Sequence, residues 1–129
     1  TTDGTHMYVA TEDSTSVQEL DSMGNLTRLW GSGDFVDETI LDISHDDTGY
    51  LVTSHPTGVT IIDLATNDAD KYQYDVGPYS DLVTVDGVAY LGTFNSGIQR
   101  IVLATGDELS PWKSTGVDEL EEIPIAAGN

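Results

Sequence analysis

Three histidines, His6, His45 and His55, and 23 Asp and Glu side chains are the groups here that could hold a metal or move a proton. The stretch SHDDTGYLVTSHP, residues 44–56, sets two of the histidines around Asp46 and Asp47. Imidazole suits both metal ligation and acid–base work near neutral pH. A hairpin turning at Asp47-Thr48-Gly49 would leave His45 beside the turn and His55 well beyond it. The pair therefore should not converge, and the histidines read as solvent-exposed or loop residues.

Asp46-Asp47 and Asp68-Ala69-Asp70 offer the hard oxygens that calcium prefers. Neither has the alternating Asp/Asn ladder with a glycine and a closing glutamate that a calcium loop requires. Both read as β-turn aspartates. Asp118-Glu119 with Glu121-Glu122 reads as a solvated linker, and no nucleophile elbow, phosphate loop or dinucleotide fingerprint occurs. Trp30 and Trp112 could stack on a flat ligand, but they recur at matching places in an internal repeat, which points to packing between repeats. No catalytic, cofactor-binding or metal-ligating residue is assigned, and no cofactor is expected.

The elements that must position these groups follow from composition and periodicity. A length of 129 residues suits one domain with its own core. The absence of cysteine excludes disulfides and thiol chemistry. No run of 18 apolar residues and no basic leader before an apolar stretch occurs, so neither a membrane span nor a signal peptide is expected. Against 23 acids stand only Lys71, Lys113, Arg28 and Arg100, a net charge of −19. That field repels phosphate backbones, so nucleic acid is not an expected partner. An Asp- and Thr-rich, nearly Lys-free surface fits salt adaptation or an ordinary acidic secreted protein, and the expected setting is extracellular or cell-surface.

Three segments share one plan: DGTHMYVATEDSTSVQELDSMGNLTRLW (3–30), DTGYLVTSHPTGVTIIDLATNDADKYQY (47–74) and DGVAYLGTFNSGIQRIVLATGDELSPW (86–112). Thr11, Thr53 and Thr93 fall in register at separations of 42 and 40. A period near 40 with strand-like content means a repeat fold. Each unit begins with a strand, TILDIS (39–44) or DLVTV (81–85), closed by an Asp/Gly turn that tolerates positive φ. A second strand follows (MYVAT, YLVTS, AYLGT), apolar at consecutive positions and so buried on both faces. A third is VQEL, VTIIDL or IQRIVL. The last is polar (LTRLW, KYQYDV at 71–76, ELSPW), as suits a sheet edge. No stretch has a convincing helical period; STGVDELEE (114–122) is the one rival.

VAYLGTFNSGIQRIVLATGDELSPW resembles the repeat of pyrroloquinoline-quinone-enzyme-like, or quinoprotein-like, β-propellers. Ala104-Thr105-Gly106 and Trp112 carry the likeness most closely. Ala65-Thr66 matches in part, with Asn67 in place of glycine, and the first unit has Asp21-Ser22-Met23-Gly24-Asn25 there, with Trp30 at the tryptophan position. The resemblance implies a fold, about three four-stranded antiparallel propeller blades in an all-β chain. The quinone site of those enzymes needs ligands that are not found here, so their activity is not carried over.

The units are expected near 1–36, 37–78 and 79–116, with 117–129 as an orphan first strand. The first unit starts at the Asp3-Gly4 turn, without its innermost strand, and EEIPIAAGN (121–129) matches ETILDIS (38–44). Opening at Thr1 without methionine fits a chain processed or cut from something longer. Three blades cannot readily close a ring of about 4 to 8, so either a homodimer makes six or further blades of a longer chain complete it. The leading functional expectation is a non-catalytic interaction or surface-associated module with an unknown ligand. The alternative is a hydrolase or lyase with an acidic site in the central channel, on innermost strands at Asp42 or Glu121.

Overall fold

Two consecutive residues with positive φ, Asp86 at 49° and Gly87 at 81°, turn the chain between its eighth and ninth strands. That conformation matches the right-handed twist of the strands it joins, which is why Asp-Gly reverses a hairpin so tightly. Punctuation of this kind recurs through the computed structural model, which describes residues 1–11, 15–36, 39–73, 79–93 and 97–112. Eleven strands and one short 3-10 turn are present among them. The first sheet holds β1 (Met7–Ala10), β2 (Val17–Leu20) and β3 (Leu26–Trp30). The second holds β4 (Asp42–Asp46), β5 (Tyr50–His55), β6 (Gly58–Asp63) and β7 (Asp68–Gln73). The third holds β8 (Tyr79–Val85), β9 (Val88–Thr93), β10 (Ile98–Val102) and β11 (Glu108–Trp112).

Each sheet is an antiparallel meander in chain order. The all-β class and the three-blade plan expected from the repeat are therefore present, with three named strands in the first sheet. Thr2 bridges Met7, and Thr1 exchanges backbone hydrogen bonds with Tyr8, so residues 1–2 pair along the free side of β1. No helix among the described residues is long and apolar enough to cross a membrane. The segments 114–122 and 117–129 lie outside the described residues.

Two strand boundaries differ from expectation. β4 runs over Asp42–Asp46 instead of 39–44, because Asp46 ends the strand by capping the turn: its Oδ2 accepts from Thr48 N at 3.1 Å and from the Thr48 hydroxyl. β7 starts at Asp68, not Lys71, because β6 stays paired down to Asp63↔Asp68 before the four-residue turn. Asp68 and Asp70 are thus strand residues, and the β-turn reading of them is corrected. A water-facing outer strand tolerates carboxylates, so their polarity marked an edge instead of a turn.

The sheets approach one another most closely through β1, β4 and β8. Two hydrophobic seams fill the wedges between them. Between the first two sheets lie Tyr8, Val17, Trp30, Phe35, Leu51 and Ile62. Between the second and third lie Val52, Val59, Ile61, Leu82, Leu91 and Ile101. Successive side chains point to opposite faces of a strand, so β5 and β6 are buried almost throughout. The expectation that second strands are buried on both faces holds for β5 and fails for β1, where Met7 and Val9 are 47% and 43% exposed. Their face is the flank of the first blade, which no described residue covers.

Candidate functional site

The inner edge of the arc is built where β4 meets β8. Asp42 on β4 accepts from Ile43 N through Oδ1 at 2.9 Å and from Leu82 N through Oδ2 at 3.2 Å. Asp81 on β8 accepts from the same Leu82 N–H at 3.0 Å. Two carboxyls from neighbouring blades therefore share one donor. Burial, with the adjacent Asp81 charge adding to it, raises the Asp42 pKa above its ordinary value, as desolvation and a like charge both disfavour ionisation. Along the same edge the hydroxyls of Ser44 and Thr84 meet at 2.8 Å, and Asp46 Oδ2 accepts from Gly87 N at 3.1 Å. Asp46 is almost wholly buried, and its backbone bonds across the blades supply the pairing a buried carboxylate needs.

The wedge between the first and second blades holds a second polar cluster. Arg28 grips Glu19 with two bonds, Nε to Oε1 at 3.0 Å and Nη2 to Oε2 at 2.7 Å, and donates Nη1 to Leu64 O at 2.9 Å. Thr27 adds a hydroxyl donor to Glu19 Oε1 at 2.7 Å. The Arg28 bonds hold Glu19 at about 2, against the desolvation that opposes them. Burial raises the Tyr8 phenol well above its usual range, with Glu19 and Asp3 adding to it. Tyr8 OH donates to Asp3 Oδ2 at 3.2 Å, and its ring lies parallel to His45 with centroids 5.5 Å apart.

The histidines behave differently from one another. His45 on β4 is half-buried, and its Nδ1 has no hydrogen-bond partner among the described residues. His6 lies beside Asp3, its Nδ1 3.3 Å from Oδ2. His55, expected to be solvent-exposed or in a loop, is fully buried on β5, which corrects that reading. Its Nδ1 lies 2.7 Å from Thr39 O and its Nε2 2.7 Å from Thr53 Oγ1. That pattern fixes the tautomer with Nδ1–H donating to Thr39 and Nε2 accepting from Thr53. His45 pairs with Leu51 and His55 with Gly58, so the two do not converge. Among the described residues no three His, Asp or Glu side chains gather at a metal-binding spacing.

Trp30 packs in the first seam at 2% exposure, under the Arg28 guanidinium at 5.2 Å, and donates Nε1–H to Asn67 Oδ1 at 2.8 Å. That is the inter-repeat packing role expected of it. The sequence reading missed Asp81 and Glu19. Asp81 sits in DLVTV, already read as a first strand, so an acid facing Asp42 from the next inner strand was available as a signal. Tyr8, Tyr50 and Tyr90, separated by 42 and 40 residues, share the repeat spacing as well.

No protein-family model and no curated protein matches the chain. Among solved structures it is similar to the RRP9 WD40 repeats, with a TM-score of 0.67 and 11% identity over 84% of this chain and 35% of that one. It is similar also to U3-55K, with a TM-score of 0.66 and 11% identity over 84% of this chain and 36% of that one. The chain spans about a third of the length of these structures. The shared architecture is the β-propeller, and three stacked antiparallel blades are what this chain contributes to it. The expected extracellular or cell-surface setting is corrected by these neighbours, RRP9 and U3-55K. An acidic composition reports solubility and self-repulsion, and it carries no address.

Proposed function

We propose that the chain is a non-catalytic protein-interaction module, an arc of three propeller blades whose work is to bind other protein surfaces. The observation that carries this reading is the uncovered face of the first blade. Met7, Val9, Leu26 and Leu29 are 47%, 43%, 55% and 56% exposed there. A contiguous apolar face of this kind marks a surface meant to be covered. The likeness to WD40 propellers supports the reading, since that fold offers a rigid frame with many edges and loops. The units near 1–36, 37–78 and 79–116 are its blades, with 117–129 as a further inner strand. Their quinoprotein-like character rests on Ala104-Thr105-Gly106 and Trp112. The net charge of −19 argues against phosphate backbones as the target.

The ring is completed either by a second copy or by further blades. Light scattering across protein and salt concentration, with a dye that reports exposed apolar surface, tests the reading. The expected result is a mass above one chain that grows with salt as dye binding falls. A chain that stays single and binds no dye overturns it.

A second reading, a hydrolase or lyase using an acidic site at the ring centre, is favoured by one observation. Asp42 is raised in pKa by burial and faces Asp81 from the neighbouring inner strand, and two carboxyls in unlike surroundings could divide acid and base roles. It stands if the wild type cleaves a glycoside or ester panel and both Asp42→Asn and Asp81→Asn abolish that cleavage. Retained cleavage in either variant removes it.

A further inference from the structure

The turn between the third and fourth strand of each blade holds one residue in the left-handed region: Gly24 at 85°, Asn67 at 64° and Gly106 at 77°. In the second and third blades this residue is covered by an aromatic from the outer strand of the blade before it. Trp30 reaches Asn67 through its indole N–H. Tyr72 lies so close over Gly106 that a Cβ there would come within 2.2 Å of its ring. The two aromatics hold the same register, since Trp30 pairs with Val17 and Tyr72 with Val59 in matching third strands. In the first blade no atom among the described residues comes within 4 Å of where a Gly24 Cβ would sit, and Met23 beside it is 85% exposed. This turn is tighter by one residue, closing Gly24 N onto Asp21 O instead of spanning four residues as Asn67 and Gly106 do.

The chain carries the complement of this open seat. Trp112 pairs with Ile98 on β11, the backbone register that Trp30 and Tyr72 occupy on β3 and β7. Tyr90 stands in the tyrosine series at the same spacing from Tyr50 as the repeat. Arg100 belongs to the face of the third blade that points away from the second, alternating with Gln99 and Ile101, and donates to Ser110 O. Within the turn of the first blade Asp21 accepts from Met23 N and Asn25 N, and those bonds hold its pKa below the usual value.

We infer that the Asp21–Asn25 turn of the first blade is an aromatic seat that receives Trp112 from the third blade of a second copy of this chain. The inference rests on the interaction-module reading and adds to it the partner and the contact. The new interface continues the two seams already present, so the same chemistry is repeated a third time. The like charge of two copies opposes it, and salt relieves that repulsion.

The chain has no cysteine, so introduced thiols report contacts cleanly. Chains of residues 1–129 carrying Met23→Cys or Ser110→Cys are mixed and treated with a short bis-maleimide at low and high salt. The seat predicts a mixed cross-linked pair, more abundant at high salt, in clear excess over a Thr66→Cys control paired with Ser110→Cys. Trp112→Ala weakens self-association by about tenfold or more, as loss of an interface anchor does, while Trp112→Phe retains most of it. Met23→Lys, at a position too exposed to matter for folding, weakens it as well. A mass of two chains without the Met23–Ser110 cross-link overturns the seat and leaves the module reading intact. A folded chain that remains single at multimolar salt overturns both, and completion by blades of a longer chain overturns the second copy as occupant.

Discussion

Trp30 in the outer strand of the first blade donates its indole N–H to Asn67 Oδ1 in the turn of the second, 2.8 Å away. One side chain thereby fills the seam and fixes the spacing of two blades. Trp30→Phe keeps most of the packing and loses the bond, at a cost of about 1 kcal/mol. Trp30→Ala also opens a cavity, at a cost of about 3–5 kcal/mol. Chemical denaturation of the two variants against wild type measures the difference, and equal losses would assign the role of Trp30 to the hydrogen bond alone.

Gly106 and Gly24 should respond unequally to alanine. Both adopt positive φ, which costs an L side chain about 1 kcal/mol. Only Gly106 has the Tyr72 ring where the methyl must go, so Gly106→Ala loses about 2 kcal/mol more unless the ring shifts. Tyr72→Leu made together with Gly106→Ala should recover part of that loss. A double-mutant cycle with no coupling between positions 72 and 106 would contradict the contact.

The Glu19–Arg28 pair sits in the first seam with Glu19 almost wholly buried. Removing one partner of a buried pair leaves the other uncompensated, so Glu19→Gln should cost about 3 kcal/mol. Glu19 is held at about 2 against an ordinary 4.5. Its contribution is therefore complete above the unfolded value and lost as pH falls from about 4.5 to about 2. Acid titration of stability should show this loss in wild type and not in Glu19→Gln.

Asp42 acts in the opposite sense. Its folded pKa lies above the ordinary 3.8, so the folded chain holds that proton more tightly than the unfolded chain. Its ionised form is destabilising at neutral pH, and stability recovers as pH falls through the raised value. Asp42→Asn should remove this recovery, which denaturation midpoints followed from neutral pH through an acid titration will detect. An unchanged slope would contradict the raised folded pKa of Asp42.

His55→Phe fills nearly the same space and takes from the fully buried Thr53 Oγ1 the acceptor it now uses, along with the bond to Thr39 O. An unpaired buried polar group costs about 1–3 kcal/mol, so the variant should be less stable by that order despite its greater hydrophobicity. A more stable variant would show that water replaces both bonds.

Much of this architecture was legible because its turns are written in Asp and Gly, whose tolerance of positive φ is local. Asp86-Gly87 and Ala104-Thr105-Gly106 could be placed without knowing what lay beside them. Trp30 was legible as packing, since its place in the repeat is periodic. His55 was misread because its environment comes from Thr39, sixteen residues away, and from Thr53 on its own strand, and no spacing rule announces either. The start of β7 was misplaced for a related reason: Asp68 and Asp70 look like turn residues until an outer edge facing water admits them. Asp42 was identified as an inner-strand acid, but its pairing with Asp81 depends on how adjacent sheets abut, and a linear pattern does not record that.

The flank of the first blade and the flank of the third are different surfaces of one chain. Heterologous contacts between such surfaces have two fates: if the rotation per copy divides the full circle, the assembly closes, and otherwise it runs on as a helical filament. Side-chain volume in the seams, at residues such as Phe35, Ile62 and Leu91, sets that rotation. A change of one methylene there could convert a discrete particle into a fibre while leaving every blade intact.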